Sequence, residues 1–118
     1  MRILFDQGVP RGLAESLLDR HQVTEARQLG WEEVSNGDLI TRAEAAGFDL
    51  LLATDKNWLY PQNLAGRRIS LVVLGQSLWW LVRSCLDAVV TAVDVATPGS
   101  FVEIPVPRPP KPPHRFIL

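Results

Sequence analysis

Short apolar runs alternate with amphipathic segments along the chain, and the apolar runs predict buried β-strands. The clearest run lies within 48–54, where Leu50, Leu51, Leu52 and Ala53 follow one another without a polar residue. A continuous run of this length is typical of a strand that is covered on both faces of a parallel sheet. The predicted strands are 2–5, 22–26, the run within 48–54, 69–74 and 100–104.

Three amphipathic segments between these runs predict helices, because apolar residues recur in them every three or four positions. The first begins near Pro10 and ends near Arg20 and His21, the second follows the N-cap residues Ser35 and Asn36, and the third spans 76–96. Their predicted inward stripes are Leu13, Leu17 and Leu18 with Ala14 beside them; Leu39, Ile40, Ala43 and Ala46; and Leu81, Val82, Cys85, Leu86, Val89, Val93 and Ala96.

The predicted elements follow the order β-α-β-α-β-β-α-β, with a loop over 56–66 between the third and fourth strands. This alternation predicts an α/β sandwich around a mostly parallel sheet with right-handed crossovers. In such sheets, ligands bind at the carboxyl ends of the strands. Two of the predicted strands end at aspartates, Asp6 and Asp55, so these residues are the first candidates for a functional site.

The composition indicates one ordinary globular domain followed by a short tail. The chain has 118 residues, of which 47% are hydrophobic and 21% charged, and this excludes a wholly disordered, collagen-like or coiled-coil chain. Residues 1–104 hold nine of the twelve basic and all thirteen acidic residues, a net charge of −4, whereas 105–118 hold three basic residues and six of the nine prolines. We therefore predict a folded domain over 1–104 and an extended basic tail over 105–118.

Charge and cysteine content narrow the possible function classes. The net charge of −1 argues against a protein that holds nucleic acid by bulk positive charge. The single cysteine, Cys85, excludes an intramolecular disulfide and a thiolate cage for zinc, and a reducing cytoplasm is the predicted compartment. We expect no targeting segment and no membrane span, because no apolar run is long enough for either.

Three aspartates predict a cation site. Asp6 and Asp55 follow strands, and Asp38 opens the helix that leads to the third strand. If the two strands are neighbours, the carboxylates converge and need a cation, and hard oxygen ligands suit Mg²⁺ or Mn²⁺. Such an ion polarises a phosphoryl oxygen and generates hydroxide from bound water. The alternative is structural, because an aspartate after a strand commonly forms a turn and Asp38 can complement a helix dipole.

Three segments carry a further set of motifs. Residues 3–10 are Ile-Leu-Phe-Asp-Gln-Gly-Val-Pro, residues 36–40 are Asn-Gly-Asp-Leu-Ile with Ala43 a turn later, and residues 54–58 are Thr-Asp-Lys-Asn-Trp. In order and spacing, over about residues 1–75, they resemble the small bacterial PIN-like proteins of toxin–antitoxin loci. The corresponding family segments are a strand followed by Asp-Glu-Asn-Leu-Pro, then Ser-Asp-x-x-Ile-x-x-x-Ala, then Thr-Asp-Lys-Asp-Phe.

The resemblance implies a PIN-like fold, which is a three-layer α/β/α sandwich, and a Mg²⁺- or Mn²⁺-dependent ribonuclease that hydrolyses phosphodiester bonds. By match, Asp6, Asp38 and Asp55 are the catalytic metal ligands, and Thr54 supports the site by hydrogen bonding. Asn57 orients a water molecule or contacts a phosphate. The implied partners are an RNA substrate and an antitoxin protein.

Two positions depart from the family pattern and leave a second function open. Gln7 stands where many relatives have Glu, and Asn57 stands where many have Asp, so each keeps an oxygen but loses a negative charge. The alternative function is a catalytically weakened PIN-like protein that acts as a protein-binding module. Gln7 and Lys56 are candidate substrate contacts at the site, and Arg67 and Arg68 could form a path for RNA with the basic tail. Equally, Lys56 and the two arginines could be solvated surface residues.

One tryptophan has an unusual predicted position. Trp80 aligns at helical spacing with the polar residues Ser84 and Asp87, so it is exposed unless another segment covers it. Exposed large aromatic side chains are typical of protein interfaces. We therefore predict a homodimer to which residues 79–82 contribute. The alternatives are that the loop at 58–60 covers Trp80 or that the helix starts later.

Overall fold

A fully parallel sheet lies at the centre of the protein. The computed structural model describes residues 1–54, 66–75 and 79–106, and within these ranges the sheet has five strands. Each strand coincides with a predicted strand to within a few residues. The central strands are apolar because burial on both faces of the sheet excludes polar side chains, whereas the outer strands are only partly buried. The strands are β1 (Arg2–Phe5), β2 (Gln22–Glu25), β3 (Leu50–Ala53), β4 (Ser70–Leu74) and β5 (Phe101–Ile104).

The strand order is β2-β1-β3-β4-β5, and every neighbouring pair is parallel. Phe5 of β1 pairs with Glu25 of β2 on one side and with Leu52 of β3 on the other. The chain thus adds β2 on one side of β1 and then returns across it to β3. In open parallel sheets, the crevice at such a reversal, outside the carboxyl ends of the strands, is the usual ligand position.

Helices cover both faces of the sheet, because successive strand residues point to opposite sides. The helices are α1 (Gly12–Leu17), α2 (Asn36–Ala45), α3 (Trp79–Val82) and α4 (Leu86–Asp94), with 3₁₀ turns at Ala26–Leu29 and Arg83–Cys85. Leu50 and Leu52 of β3 pack on the side of α1, α3 and α4, whereas Leu51 and Ala53 pack on the side of α2. The predicted three-layer α/β sandwich is therefore confirmed. None of the helices in the described ranges combines the length and the apolarity that crossing a bilayer requires.

The crossover between β4 and β5 differs in hand from the first two. The steps from β1 to β2 and from β2 to β3 run in opposite directions along the sheet, and α1 and α2 lie on opposite faces, so these crossovers share one hand. The step from β4 to β5 runs in the direction of β2 to β3, yet α4 packs beside α1. These crossovers therefore do not all share one hand, and the expectation of uniformly right-handed crossovers is wrong.

The segment predicted as one helix over 76–96 is divided within its described part. A 3₁₀ turn at Arg83–Cys85 separates α3 from α4, and Cys85 has φ −122° and ψ 31°, outside the helical region. Ser84 Oγ donates a hydrogen bond to the carbonyl of Leu81 at 2.6 Å, and such side-chain bonds compete with the helical backbone pattern. The inward stripe is nevertheless confirmed by the burial of Leu81, Val82, Val89 and Val93.

The first helix is shorter than predicted, and one leucine of its stripe points outward. It ends at Leu17, where the backbone N–H groups of Arg20 and His21 both donate to the Leu17 carbonyl. Leu17 is 1% exposed, whereas Leu18 is 56% exposed. The prediction that Leu18 belongs to the inward stripe is therefore wrong.

The beginning of the predicted tail packs on the domain. Val106 is buried, and the backbone around it approaches Gly75, which follows β4. Gly75 also donates its backbone N–H to the carbonyl of Ile104 at 3.0 Å. Residues 107–118 lie outside the described residues, so the extended basic tail stays a prediction.

Candidate functional site

Asp6 lies at the carboxyl end of β1, directly beside the end of β3. Its backbone N–H donates a hydrogen bond of 2.9 Å to the carbonyl of Leu52, so the pairing of the two strands continues one residue past β1. Its carboxylate oxygen Oδ1 accepts a hydrogen bond of 2.8 Å from the backbone N–H of Gln7. The side chain of Asp6 is partly buried and Gln7 is exposed. The backbone therefore fixes the orientation of the Asp6 carboxylate.

A tight turn over 6–9 brings the chain against Thr54, the residue that follows β3. The backbone N–H of Val9 donates to the carbonyl of Asp6 at 3.2 Å and closes the turn. Gly8 has φ +104°, and a Cβ atom placed on it would lie 2.8 Å from Thr54 Oγ1. Position 8 therefore requires glycine, both because of its positive φ and because a side chain would clash with Thr54. The Asp6 turn and the Thr54 hydroxyl thus meet at the reversal between β1 and β3.

Gly8→Ala is expected to lower the free energy of unfolding by about 2 kcal/mol or more, because it adds backbone strain and a steric clash with Thr54. The control is Gly30→Ala. Gly30 has φ +75°, and a methyl group placed on it would meet nothing within 4 Å, so only the strain of about 1–2 kcal/mol remains. Urea unfolding measures both. Thr54→Ala in the Gly8→Ala background is expected to restore part of the loss, and equal losses at the two glycines would contradict the close contact.

All the strands end at one side of the sheet, the carboxyl edge, and begin at the opposite side, the amino edge. Asp38 lies at the carboxyl edge, as Asp6 does, because α2 begins there. β2 ends at the carboxyl edge and β3 starts at the amino edge, so the helix that joins them runs from the first edge to the second. Asp38 is in the first turn of α2 and is exposed. A carboxylate in a first helical turn also complements the helix dipole, so this position is consistent with the functional and the structural interpretation.

The remaining predicted residues of this site lie outside the described residues. They are Asp55, Lys56 and Asn57, which directly follow Thr54 in the chain, and their roles stay predictions. Asp6 and Asp38 are the two predicted metal ligands that the structure describes. Over 1–54, 66–75 and 79–106, no three His, Cys, Asp or Glu side chains are grouped so that they could hold a metal ion.

A second charged group borders Asp6 on the β2 side of the edge, and sequence reasoning missed it. Glu25 is the last residue of β2 and pairs in register with Phe5. Its carboxylate oxygen Oε1 lies 3.3 Å from Arg11 Nε and 3.8 Å from Arg27 Nη2. The signal was available, because Glu25 ends the second strand just as Asp6 ends the first.

Glu25 also caps the 3₁₀ turn at Ala26–Leu29. Its side chain accepts a hydrogen bond from the backbone N–H of Gln28, and its own backbone N–H donates to Gln28 Oε1 at 2.8 Å. This reciprocal pair holds the carboxylate in place. The two arginines, Glu25 and the turn over 6–9 line a small cleft with a volume of about 110 Å³.

Arg67 and Arg68 lie at the amino edge, because they precede β4. The Arg67 guanidinium contacts α2, with Nη2 2.9 Å from Thr41 Oγ1 and Nη1 3.7 Å from Glu44 Oε1. The backbone N–H of Arg68 donates to Glu44 at 2.7 Å. This bond, with a second from Ile69 and the positive charges of both arginines, lowers the pKa of the Glu44 carboxyl against the effect of desolvation. The structure does not bring these arginines to the carboxyl edge.

His21 also lies at the amino edge, where it joins the end of α1 to the end of α4. Its Nε2 is 2.8 Å from Asp94 Oδ1, and Arg20 Nη1 is 2.9 Å from Asp94 Oδ2. The hydrogen bond from His21, and then the charge of Arg20, lower the pKa of the Asp94 carboxyl despite its desolvation. These contacts are structural, and they lie away from Asp6.

The two tryptophans of α3 have different environments. Trp79 packs against α1 at Gly12, where a Cβ atom would lie 2.8 Å from the indole ring. Trp80 is 54% exposed, so the prediction that it lies on an outer stripe is confirmed. Because α3 follows β4, Trp80 lies towards the carboxyl edge of the sheet.

Comparison with known proteins identified no relative of this chain. A scan of the chain against protein-family models found no match, and neither a search of curated proteins nor a search of solved structures returned one. The function therefore has to be argued from the geometry of the carboxyl edge and from the motifs at Asp6, Asp38 and Thr54.

Proposed function

We propose that the protein is a Mg²⁺- or Mn²⁺-dependent ribonuclease, that it hydrolyses RNA phosphodiester bonds, and that it is the toxin of a cytoplasmic toxin–antitoxin pair. Asp6, Asp38 and Asp55 are the proposed metal ligands. The observation that carries the proposal is the pairing of β1 with β3, because it sets Asp6 beside Thr54, the residue before Asp55. The start of α2 brings Asp38 to the same edge.

The described donors fit a hard divalent cation in chemical type. Asp6 and Asp38 offer carboxylate oxygens, Thr54 offers a hydroxyl oxygen, and oxygen donors of this kind suit Mg²⁺ and Mn²⁺. When bound, such an ion supplies charge stabilisation at a phosphoryl oxygen and a lowered pKa for its water. The chain itself contributes position: Gln7 holds the Asp6 carboxylate through its backbone N–H, and Gly8 holds the turn against Thr54.

The direct test is cleavage of RNA by the full chain with Mg²⁺, with Mn²⁺ and with EDTA. We expect cleavage that requires added metal and a saturable titration with Mn²⁺. The absence of Mn²⁺ binding at millimolar metal would contradict the proposal, since the acidic residues would then have no cation to hold.

A catalytically weakened binding module is the second candidate function. It is favoured by Gln7, which removes a negative charge from the site where the resembled family has Glu, and by the exposure of Trp80 near the same edge. In this case the antitoxin protein, or a second copy of the chain, is the partner. Metal titration separates the two candidates, because a decayed acidic site binds no ion.

Trp80→Ala is expected to convert a homodimer to a monomer, because it removes a large, half-exposed aromatic side chain from the proposed interface at Trp79–Val82. Light scattering at micromolar concentration measures the mass. Val95→Ala is the control, because Val95 is 67% exposed at the far end of α4. A monomeric wild-type protein would exclude the dimer.

A further inference from the structure

Arg11 and Arg27 form a pair of cations at the rim of the cleft beside Asp6. Arg11 directly precedes α1, and Arg27 lies in the 3₁₀ turn that follows β2. One oxygen of Glu25 lies 3.3 Å from Arg11 and 3.8 Å from Arg27, so the two guanidinium groups are neighbours. Their side chains are 66% and 49% exposed, respectively. Both cations are therefore accessible from solvent while one carboxylate holds them in place.

The contacts with Glu25 leave donors on both arginines for a ligand. Arg11 approaches the carboxylate with Nε, and Arg27 with Nη2, whereas each guanidinium carries five N–H donors. In the part of the chain that the structure describes, Glu25 is the ion-pair partner of both arginines. Arg11 and Arg27 carry two positive charges against the single negative charge of Glu25, and the Asp6 carboxylate that lines the same cleft is the charge proposed to face the metal ion.

We propose that Arg11 and Arg27 together bind a backbone phosphate of the RNA strand, next to the phosphodiester bond cleaved at Asp6. This inference rests on the proposed ribonuclease function and assigns a substrate contact to it. The planar guanidinium matches phosphate oxygens in a bidentate geometry, and charge-assisted bonds of this kind are among the strongest in proteins. Glu25 is a positioning residue here, since it orients both arginines.

The size of the cleft determines what it can recognise. Its volume is about 110 Å³, and it is open to solvent. A phosphate group fits this space. The contact therefore sets the position of the strand and carries no base preference.

The first experiment locates the phosphate site without requiring cleavage. The ¹⁵N-labelled full chain is titrated with a uridine tetranucleotide in EDTA, and the Nε–H resonances of the arginines are followed. We expect saturable shifts at Arg11 and Arg27 and none at Arg20 or Arg67, which lie at the amino edge. Shifts at Arg67 alone, or at no arginine, would overturn the proposal. So would equal shifts with a hexaglutamate peptide, because the surface would then be a site for acidic proteins.

The second experiment tests the contribution of the pair to affinity. Arg11→Gln combined with Arg27→Gln is expected to weaken tetranucleotide binding about tenfold or more. The slope of log affinity against log salt should also become shallower by about 0.7 for each phosphate contact that is lost. Arg20→Gln is the matched control, because it too removes an exposed arginine from an ion pair with a carboxylate, and it should change the affinity less than twofold.

The outcomes separate this inference from the ribonuclease proposal. If the tetranucleotide binds at Arg11 and Arg27 but no metal supports cleavage by the wild-type chain, the nuclease fails and the phosphate site stands. If the wild-type chain cleaves RNA while the double variant keeps its affinity and its KM, the phosphate site fails alone.

Discussion

Asp6→Asn is expected to lower the rate of metal-dependent RNA cleavage by at least about a hundredfold. Asparagine has almost the same shape, and its Oδ1 can still accept the hydrogen bond that the Gln7 backbone donates to Asp6. The turn over 6–9 is therefore retained, and the substitution removes the negative charge and replaces one carboxylate oxygen with an amide nitrogen. Cleavage rates with Mg²⁺ and Mn²⁺ and a parallel Mn²⁺ titration should show that activity and metal binding are lost together.

Two further variants make this result specific to the carboxyl edge. Asp38→Asn should act in the same direction as Asp6→Asn, because it removes charge from the same proposed ligand set. Asp19→Asn makes the identical chemical change at an exposed position beyond the end of α1, towards the amino edge, and should leave cleavage unchanged. Thermal unfolding should show that all three variants are folded. Undiminished cleavage by both Asp6→Asn and Asp38→Asn would show that the activity does not arise at this site.

The strands of the sheet could be predicted because burial on two faces leaves a direct imprint on the sequence. Leu50–Ala53 and Ser70–Leu74 are buried along their whole length, and both coincide with apolar runs. The order of the strands could not be predicted in the same way, since an apolar run does not specify which strand it pairs with. The sequence also does not show which face of the sheet α4 covers, because the inward stripe of α4 would be apolar on either face.

For the candidate site, the sequence predicts only whether each residue lies before or after a strand, and therefore at which edge of the sheet it lies. Asp6 follows β1, and the pairing of β1 with β3 brings it to Thr54. Arg67 and Arg68 precede β4, and in a parallel sheet a residue before a strand lies at the opposite edge from a residue after one. This rule places the two arginines at the edge opposite Asp6. It also places Glu25, the last residue of β2, at the same edge as Asp6. The arginine partners of Glu25 come from other segments, so only the fold shows them.

Leu17→Ala is expected to lower the free energy of unfolding by about 2–5 kcal/mol, whereas Leu18→Ala should change it by less than about 0.5 kcal/mol. The two leucines are neighbours and were equivalent in the sequence pattern. Leu17 is 1% exposed in the layer between the sheet and α4, and Leu18 is 56% exposed. Urea unfolding should show a midpoint lowered by roughly 1–3 M for the first variant.

This pair of variants isolates the effect of burial on the free energy of unfolding. Each variant removes the same three carbon atoms near the end of the same helix, so the chemical change is identical. A loss of 2–5 kcal/mol is a large part of the roughly 5–15 kcal/mol that stabilises a domain of ordinary size, so Leu17→Ala approaches the limit of what the fold tolerates. If Leu18 were turned inward, as the sequence pattern predicted, both variants would lose stability. Equal losses would therefore contradict the exposed position of Leu18.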